Sequence, residues 1–238
     1  MYQPIIPWDD IRNLPLPDLA MRLLARQLRG DVNINNVLRG MDMALGEDRQ
    51  ADGDVLSARV ADAWAWLESH ALLGPDPKNT RSEWQRVTEA GRELCQDQNA
   101  ITRIWAEERL AGDLDPLLLS ARSNFALGDY ETASFAAMKA VEVEVRRVSG
   151  LPGEIIGVPL MRKAFSPKDG VLRDPGADGG EQQATMDLFA GAIGAFKNPA
   201  SHRTVSFDDA IEAAEAVQLA DLLLRIVHRA ERRVAEEL

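Results

Sequence analysis

Between Ile211 and Val227 the chain carries an almost continuous apolar set, on a segment that Asp208 can cap and that runs on to an acidic C-terminus. Such a set is broader than the ~100° stripe one intramolecular helix contact needs. It predicts a long helix with apolar surface to spare, and hence a homodimer through the C-terminal helices. The segments before it repeat the helical period. Leu114 to Leu127 and Asp129 to Val148 read as an antiparallel helix pair joined by a tight turn at Gly128 and Asp129. The second of the pair places Phe135, Met138, Val141, Val145 and Val148 on one stripe. Residues 150 to 180 are rich in glycine and proline and read as loop, interrupted by a short helix around Pro159 to Phe165. Glu181 to Lys197 is a further helix, with Met186, Phe189, Ile193 and Phe196 on one side. Gly191 and Gly194 on it would admit a neighbouring helix at close range.

The first part of the chain is helical too. Leu19, Leu23, Leu24 and Leu28 recur at helical spacing from Asp18 to Arg29, and Gly30 stops that helix. Asp31 or Asn33 can cap a second helix reaching about Leu45. After an acidic loop from Gly46 to Asp54, Val55 to Leu72 forms a third, with Val60, Trp64, Leu67 and Ala71 on one face. Gly74-Pro-Asp-Pro-Lys-Asn-Thr is turn-rich, Glu83-Trp-Gln-Arg-Val-Thr alternates like a short strand, and Glu89 to Cys95 is helical again. A length of 238 residues suits two domains of the usual ~100 to 150 residues. The expected division is a domain over 1–97, a connecting helix over 98–113 and a helical domain over 114–238, in a mainly α fold.

The run AWAWLESHALLGPDPKNTRSEWQRVTEAGREL resembles the last helix and wing of a winged helix-turn-helix domain, a likeness covering roughly residues 15 to 95. Winged helices read DNA with their third helix. Here that helix offers Arg59 as its sole cation and also carries Asp62 and Glu68, so DNA binding by the N-terminal domain is not expected. A scaffold that positions or dimerises the other domain is the competing reading.

Charge and composition narrow the function classes. A net charge of -11 opposes a protein that coats nucleic acid through its overall field, so any such contact must be local. No apolar run approaches the ~20 residues of a membrane span, and the first ten residues lack the basic and apolar regions of a secretory signal. A cytoplasmic location is expected. Cys95 is the single cysteine, and His70, His202 and His228 are scattered, so no metal site and no cofactor is expected. No glycine-rich phosphate loop is present.

One stretch stands apart. From Leu188 to Arg203 the chain holds no acid but carries Lys197, His202 and Arg203, a cationic island in an acidic protein. Pro199 ends or bends the helix after Asn198. Lys197 and Asn198 then sit at the helix end, and His202 and Arg203 in the turn that follows.

These residues resemble the signature of the HEPN superfamily, in which an arginine and a polar residue precede a histidine by a few positions. The phrases GVPLMRKAFSPKDGVL and EQQATMDLFAGAIGAFKNPASHR are similar to its Ymh-type branch, across about residues 115 to 235. The resemblance implies a helical bundle and metal-independent RNA cleavage in a homodimer, with a setting in phage defence or stress response. It makes His202, Lys197 and Asn198 the catalytic set and Arg203 an RNA-binding residue. The chemistry suits the residue types. His202 would move a proton near neutral pH, a contribution of ~10²- to 10⁴-fold. Lys197 and Arg203 would neutralise charge on the phosphorane oxygens, and Asn198 would orient the loop or the phosphate. Lysine stands where the family pattern has arginine, and it lacks the planar fork that grips a phosphate. A non-catalytic, nucleic-acid- or partner-binding regulator that dimerises through this domain is therefore the alternative. Glu142, at the margin of its helix stripe, could orient His202 or Arg203, although an i,i+4 pair with Arg146 on a solvated face is the simpler expectation.

Overall fold

The computed structural model describes residues 4–28, 32–48, 50–79, 84–97, 99–197, 207 and 209–236. It divides into two compact units, Met1–Ile101 and Thr102–Leu238. Its architecture is mainly α, with one small sheet among the described residues.

In the first unit α1 (Trp8–Asn13) and α2 (Leu16–Gln27) lead to α3 (Ile34–Asp48) and α4 (Gly53–Ser69). Asn33 caps α3, its side-chain oxygen accepting from the backbone N–H of Asn35 at 2.9 Å. Leu19, Leu23 and Leu24 of α2 are buried with Leu56, Val60, Trp64 and Leu67 of α4. A hairpin follows, β1 (Leu73–Pro75) against β2 (Gln85–Val87), extended by a single bridge from Val32 to Gln85. Thr88 then caps α5 (Glu89–Leu94), accepting from the N–H of Gly91 at 3.1 Å. Gly91 is required by packing: a Cβ there would lie 2.6 Å from the carbonyl oxygen of Leu72. Two expectations fail locally. Gly46 to Asp48 continue α3 rather than forming loop, and Ala71 lies beyond α4 with φ of 54° instead of on its apolar face. Arg59, the candidate reading cation, donates from Nε to the Ile11 carbonyl at 2.6 Å and from Nη2 to the Leu14 carbonyl at 2.5 Å.

Helix α6 (Ala100–Arg109) spans the boundary between the units, and its Ala106 joins the core of the second. That unit continues through a 3₁₀ turn (Pro116–Leu118), α7 (Leu119–Ala126), α8 (Tyr130–Ser149), α9 (Gly157–Ala164), α10 (Gly179–Ala192), a π-helical turn (Ile193–Lys197) and α11 (Ala210–Glu236). The α7–α8 turn is the tight one expected: Gly128 takes φ of 78°, and Asp129 caps α8 by accepting from the N–H of Thr132. Helix α8 is the spine of the unit, packing against α7, α9, α11 and the π turn. Its buried side centres on Ala133, Ala137, Met138, Val141 and Val145, while Phe135 and Val148 are only half-buried. Small residues let the helices approach closely. On α11 they are Ala213, Ala216 and Ala220, buried with Val217, Leu223, Leu224 and Val227. The breadth of apolar surface on α11 is thus largely used inside the unit, and Leu222 is its one strongly exposed large apolar residue. Asp209 accepts from the N–H of Ile211 at 2.8 Å at the head of α11, and the expected cap Asp208 lies outside the described residues. A Cβ on Gly194 would lie 3.5 Å from the Val158 side chain, but one on Gly191 would meet nothing within 4 Å, so no helix packs closely there among the described residues.

Candidate functional site at the end of helix α10

The cationic island begins where α10 changes its winding. An α-ladder cannot pass through Pro199, which has no N–H to donate. The last described turn before it, Ile193–Lys197, is π-helical, the wider form that appears in single turns and often at functional sites. Ile193 is buried in the core and packs this turn onto α8.

Lys197, the final residue of the turn, is thereby brought to α8. Its Nζ lies 3.1 Å from Oε2 of Glu142, with side-chain exposures of 16% and 7%. Arg146, one helical turn further along α8, donates from Nη2 to the other carboxylate oxygen of Glu142 at 2.9 Å and to the Ile155 carbonyl at 3.2 Å. The backbone N–H of Gly157, at the head of α9, also favours the charged carboxylate. Gly157 has φ of 61°, a left-handed conformation that a side chain would strain. Glu142 and Arg146 together therefore link α8, the chain just ahead of α9 and the π turn. Burial by itself would push Glu142 up, but the hydrogen bonds from Lys197 and Arg146, with the Lys197 charge and the Gly157 N–H, hold it below the ordinary carboxylate value.

The structure therefore unites Glu142, Arg146 and Lys197. Asn198, His202 and Arg203 lie outside the described residues. The i,i+4 pair of Glu142 and Arg146 forms, but it is buried, not on a solvated face, and Glu142 turns to Lys197. Among the described residues the cluster holds two cations, Arg146 and Lys197, and one carboxylate.

Sequence reasoning missed a second buried glutamate. Two residues on from Glu142, and so on a different side of α8, Glu144 accepts from Arg147 at 2.7 and 2.8 Å. Its Oε1 also lies 3.2 Å from Nε2 of His228, whose Nδ1 is 3.3 Å from Oδ2 of Asp115. His228 thus has a carboxylate at each ring nitrogen, where the sequence suggested no such setting. No signal could have found it, since Glu144 and His228 are 84 residues apart. Burial pushes the Cys95 thiol up, which disfavours the reactive thiolate. Among the described residues no group of three histidine, cysteine, aspartate or glutamate side chains is arranged to hold a metal ion.

Residues 114–227 match the model of a family described as a protein of unknown function, Hypoth_ymh. The matched stretch, just under half of the chain, is Ymh-like. No curated protein and no solved structure matches the chain. The Ymh match takes in Glu142, Arg146 and the whole stretch from Lys197 to Arg203, and it ends at Val227, one residue before His228. Among the described residues no helix is long and apolar enough to cross a membrane.

The Ymh cluster has a pH signature. Because the folded-state pKa of Glu142 lies below its ordinary value of 4.5, its stabilising effect is complete above that value and is lost as pH falls through the folded one. Glu142→Gln should therefore lower the melting temperature near neutral pH and narrow its gap to the parent protein by about pH 3. Melting curves between about pH 3 and about pH 7 check this; a gap that is constant with pH contradicts it.

Proposed function

We propose that the Ymh-type half is a metal-independent endoribonuclease of HEPN type, with Lys197, Asn198 and His202 as its catalytic set and Arg203 as an RNA contact. The observation that carries this reading is the seating of Lys197. The π turn and Glu142 hold its ammonium at the head of the acid-free stretch that contains His202 and Arg203. Glu142 and Arg146 then act as positioning residues.

In the proposed step His202 removes the proton of a ribose 2'-hydroxyl. The 2'-oxygen bonds to phosphorus, the bond to the 5'-oxygen breaks, and that oxygen takes a proton from water, while His202 returns the proton it removed to solvent. Lys197 and Arg203 neutralise the charge that builds on the phosphorane oxygens. The products are a 2',3'-cyclic phosphate and a 5'-hydroxyl end. Incubation of RNA with the protein in EDTA, followed by end-group mapping, tests this; ends bearing 5'-phosphate and 3'-hydroxyl would contradict it.

The same ion pair also favours a second reading. A lysine paired with a buried carboxylate is what a purely structural bolt looks like, and in that case the domain is a regulator that binds RNA or a partner without cutting. Both readings include a homodimer, as the resemblance implies; with α11 mostly packed within its own unit, the dimer rests on that resemblance. Light scattering at micromolar concentration should return twice the 26.2 kDa of the chain, and a monomer would count against it. The N-terminal unit is read as a winged helix, a reading supported by its helices, hairpin and Val32 bridge. Since Arg59 is committed to backbone carbonyls, the full chain should bind random duplex DNA no better than the ~10⁻⁴ to 10⁻⁶ M of non-specific contacts. Filter binding at several salt concentrations checks this, and submicromolar, salt-sensitive affinity would overturn it.

A further inference from the structure

A second set of cations lies in the C-terminal half of α11. Arg225, His228, Arg229 and Arg232 fall at spacings i, i+3, i+4 and i+7 and so share one face of the helix. With the loop at residues 113–116 they line an open cavity of about 400 Å³, a volume within the ~300 to 1,000 Å³ of small-molecule sites.

The cavity wall is pinned in place. Arg225 donates from Nη2 to the Asp113 carbonyl at 2.8 Å and from Nε to Asp221 at 2.7 Å. Asp221 in turn accepts from the backbone N–H of Asp115 at 2.7 Å. The Asp115 carboxylate is spent on the N–H of Leu117 at 2.9 Å and on His228 at 3.3 Å. By contrast, Arg229 and Arg232 make no hydrogen bond or ion pair among the described residues. In a chain with 38 acidic against 27 basic residues, these two exposed arginines face the cavity with no ion pair of their own among the described residues, although Asp113 and Asp115 also line it. The nearby acids are engaged elsewhere: Glu231 holds Arg147 at 2.7 Å, and Asp174 lies 3.5 Å from Arg233. Like charges one turn apart repel, so this arrangement carries a cost that a bound anion would remove.

We infer that this cavity binds a mononucleotide, its phosphate held by Arg229 and Arg232. Two guanidinium forks match the tetrahedral oxygens of a phosphate ester. Asp113 lines the same cavity, near Arg225, and supplies an acceptor for ribose hydroxyls. Leu114 and Pro116 supply apolar wall for a base. The site stands independently of the nuclease reading, since it lies on the Glu144 side of α8 and shares no residue with the Glu142 cluster.

Calorimetric titration of the full chain with AMP, adenosine and inorganic phosphate tests it, with Arg229→Glu, Arg232→Glu and Lys197→Ala as variants. AMP should bind more tightly than either adenosine or phosphate. Each arginine reversal should weaken AMP by about 10- to 100-fold, the value of a lost charge-assisted hydrogen bond. Melting should be unchanged or raised in both, because neither arginine has an internal partner to lose. Lys197→Ala should bind AMP like the parent even if it destroys RNA cleavage. Absence of AMP binding, equal affinity for AMP and phosphate, or undiminished binding in both arginine variants overturns the inference.

Discussion

Phe189→Ala is expected to destabilise the C-terminal unit by about 3 to 5 kcal/mol. Phe189 has no exposed surface and stacks on Phe165, with ring centroids 4.0 Å apart and an interplanar angle of 24°. Such pairs add ~0.5 to 1.5 kcal/mol beyond their burial. The pair also joins α10 to the end of α9, and the backbone there has little room to close over a void. The turn after Phe165 is so tight that a Cβ on Gly170 would lie 2.3 Å from the Ser166 nitrogen. With the site at the end of α10, a loosened α10 would also misplace Lys197. A fall in melting temperature on the order of 10 °C follows for a unit of this size. Urea unfolding monitored by circular dichroism measures it, and a loss below about 1 kcal/mol would mean that this core is not packed as described.

The second large effect concerns Lys197. Lys197→Arg should preserve or raise RNA cleavage, because arginine keeps the charge and supplies the planar fork. Lys197→Ala should remove nearly all of it, a loss of roughly 10²- to 10³-fold for one donor to a developing oxyanion. The ion pair alters what this variant does to the fold. At a solvated helix end the substitution would change stability by about 0.5 kcal/mol or less, but Lys197 faces a buried carboxylate. Breaking a buried pair costs up to ~3 to 5 kcal/mol, lessened here because Arg146 and the Gly157 N–H still serve Glu142. Activity must therefore be compared well below each variant's melting temperature. The double variant Lys197→Ala with Glu142→Gln separates the effects: it should recover stability and remain inactive if Lys197 acts on phosphate.

Several helices were legible in the sequence because they carry their own punctuation. Asn33, Asp129 and Thr88 cap helices with their own side chains, and Gly128 takes the positive φ that its turn requires. What failed was anything decided between segments. The breadth of α11 looked like surplus surface, yet its alanines and leucines are buried within the unit, chiefly against α8. Ala71 fits the spacing of an apolar face, but α4 has already ended. The site divides in the same way. Lys197 stood out by composition, as the first cation in an acid-free stretch. Its partner Glu142, 55 positions earlier, and the His228 cluster depend on how α8 is seated, which no local spacing encodes.

The most direct measurement is RNA cleavage in EDTA by the parent protein beside His202→Ala. His202 is the residue from which the proposed mechanism draws its proton transfer, and removing such a group costs about 10²- to 10⁴-fold. The account predicts cleavage by the parent that persists in EDTA and is nearly absent in His202→Ala at unchanged melting temperature. Equal cleavage by the two proteins, or no cleavage of any RNA by the parent, would contradict it.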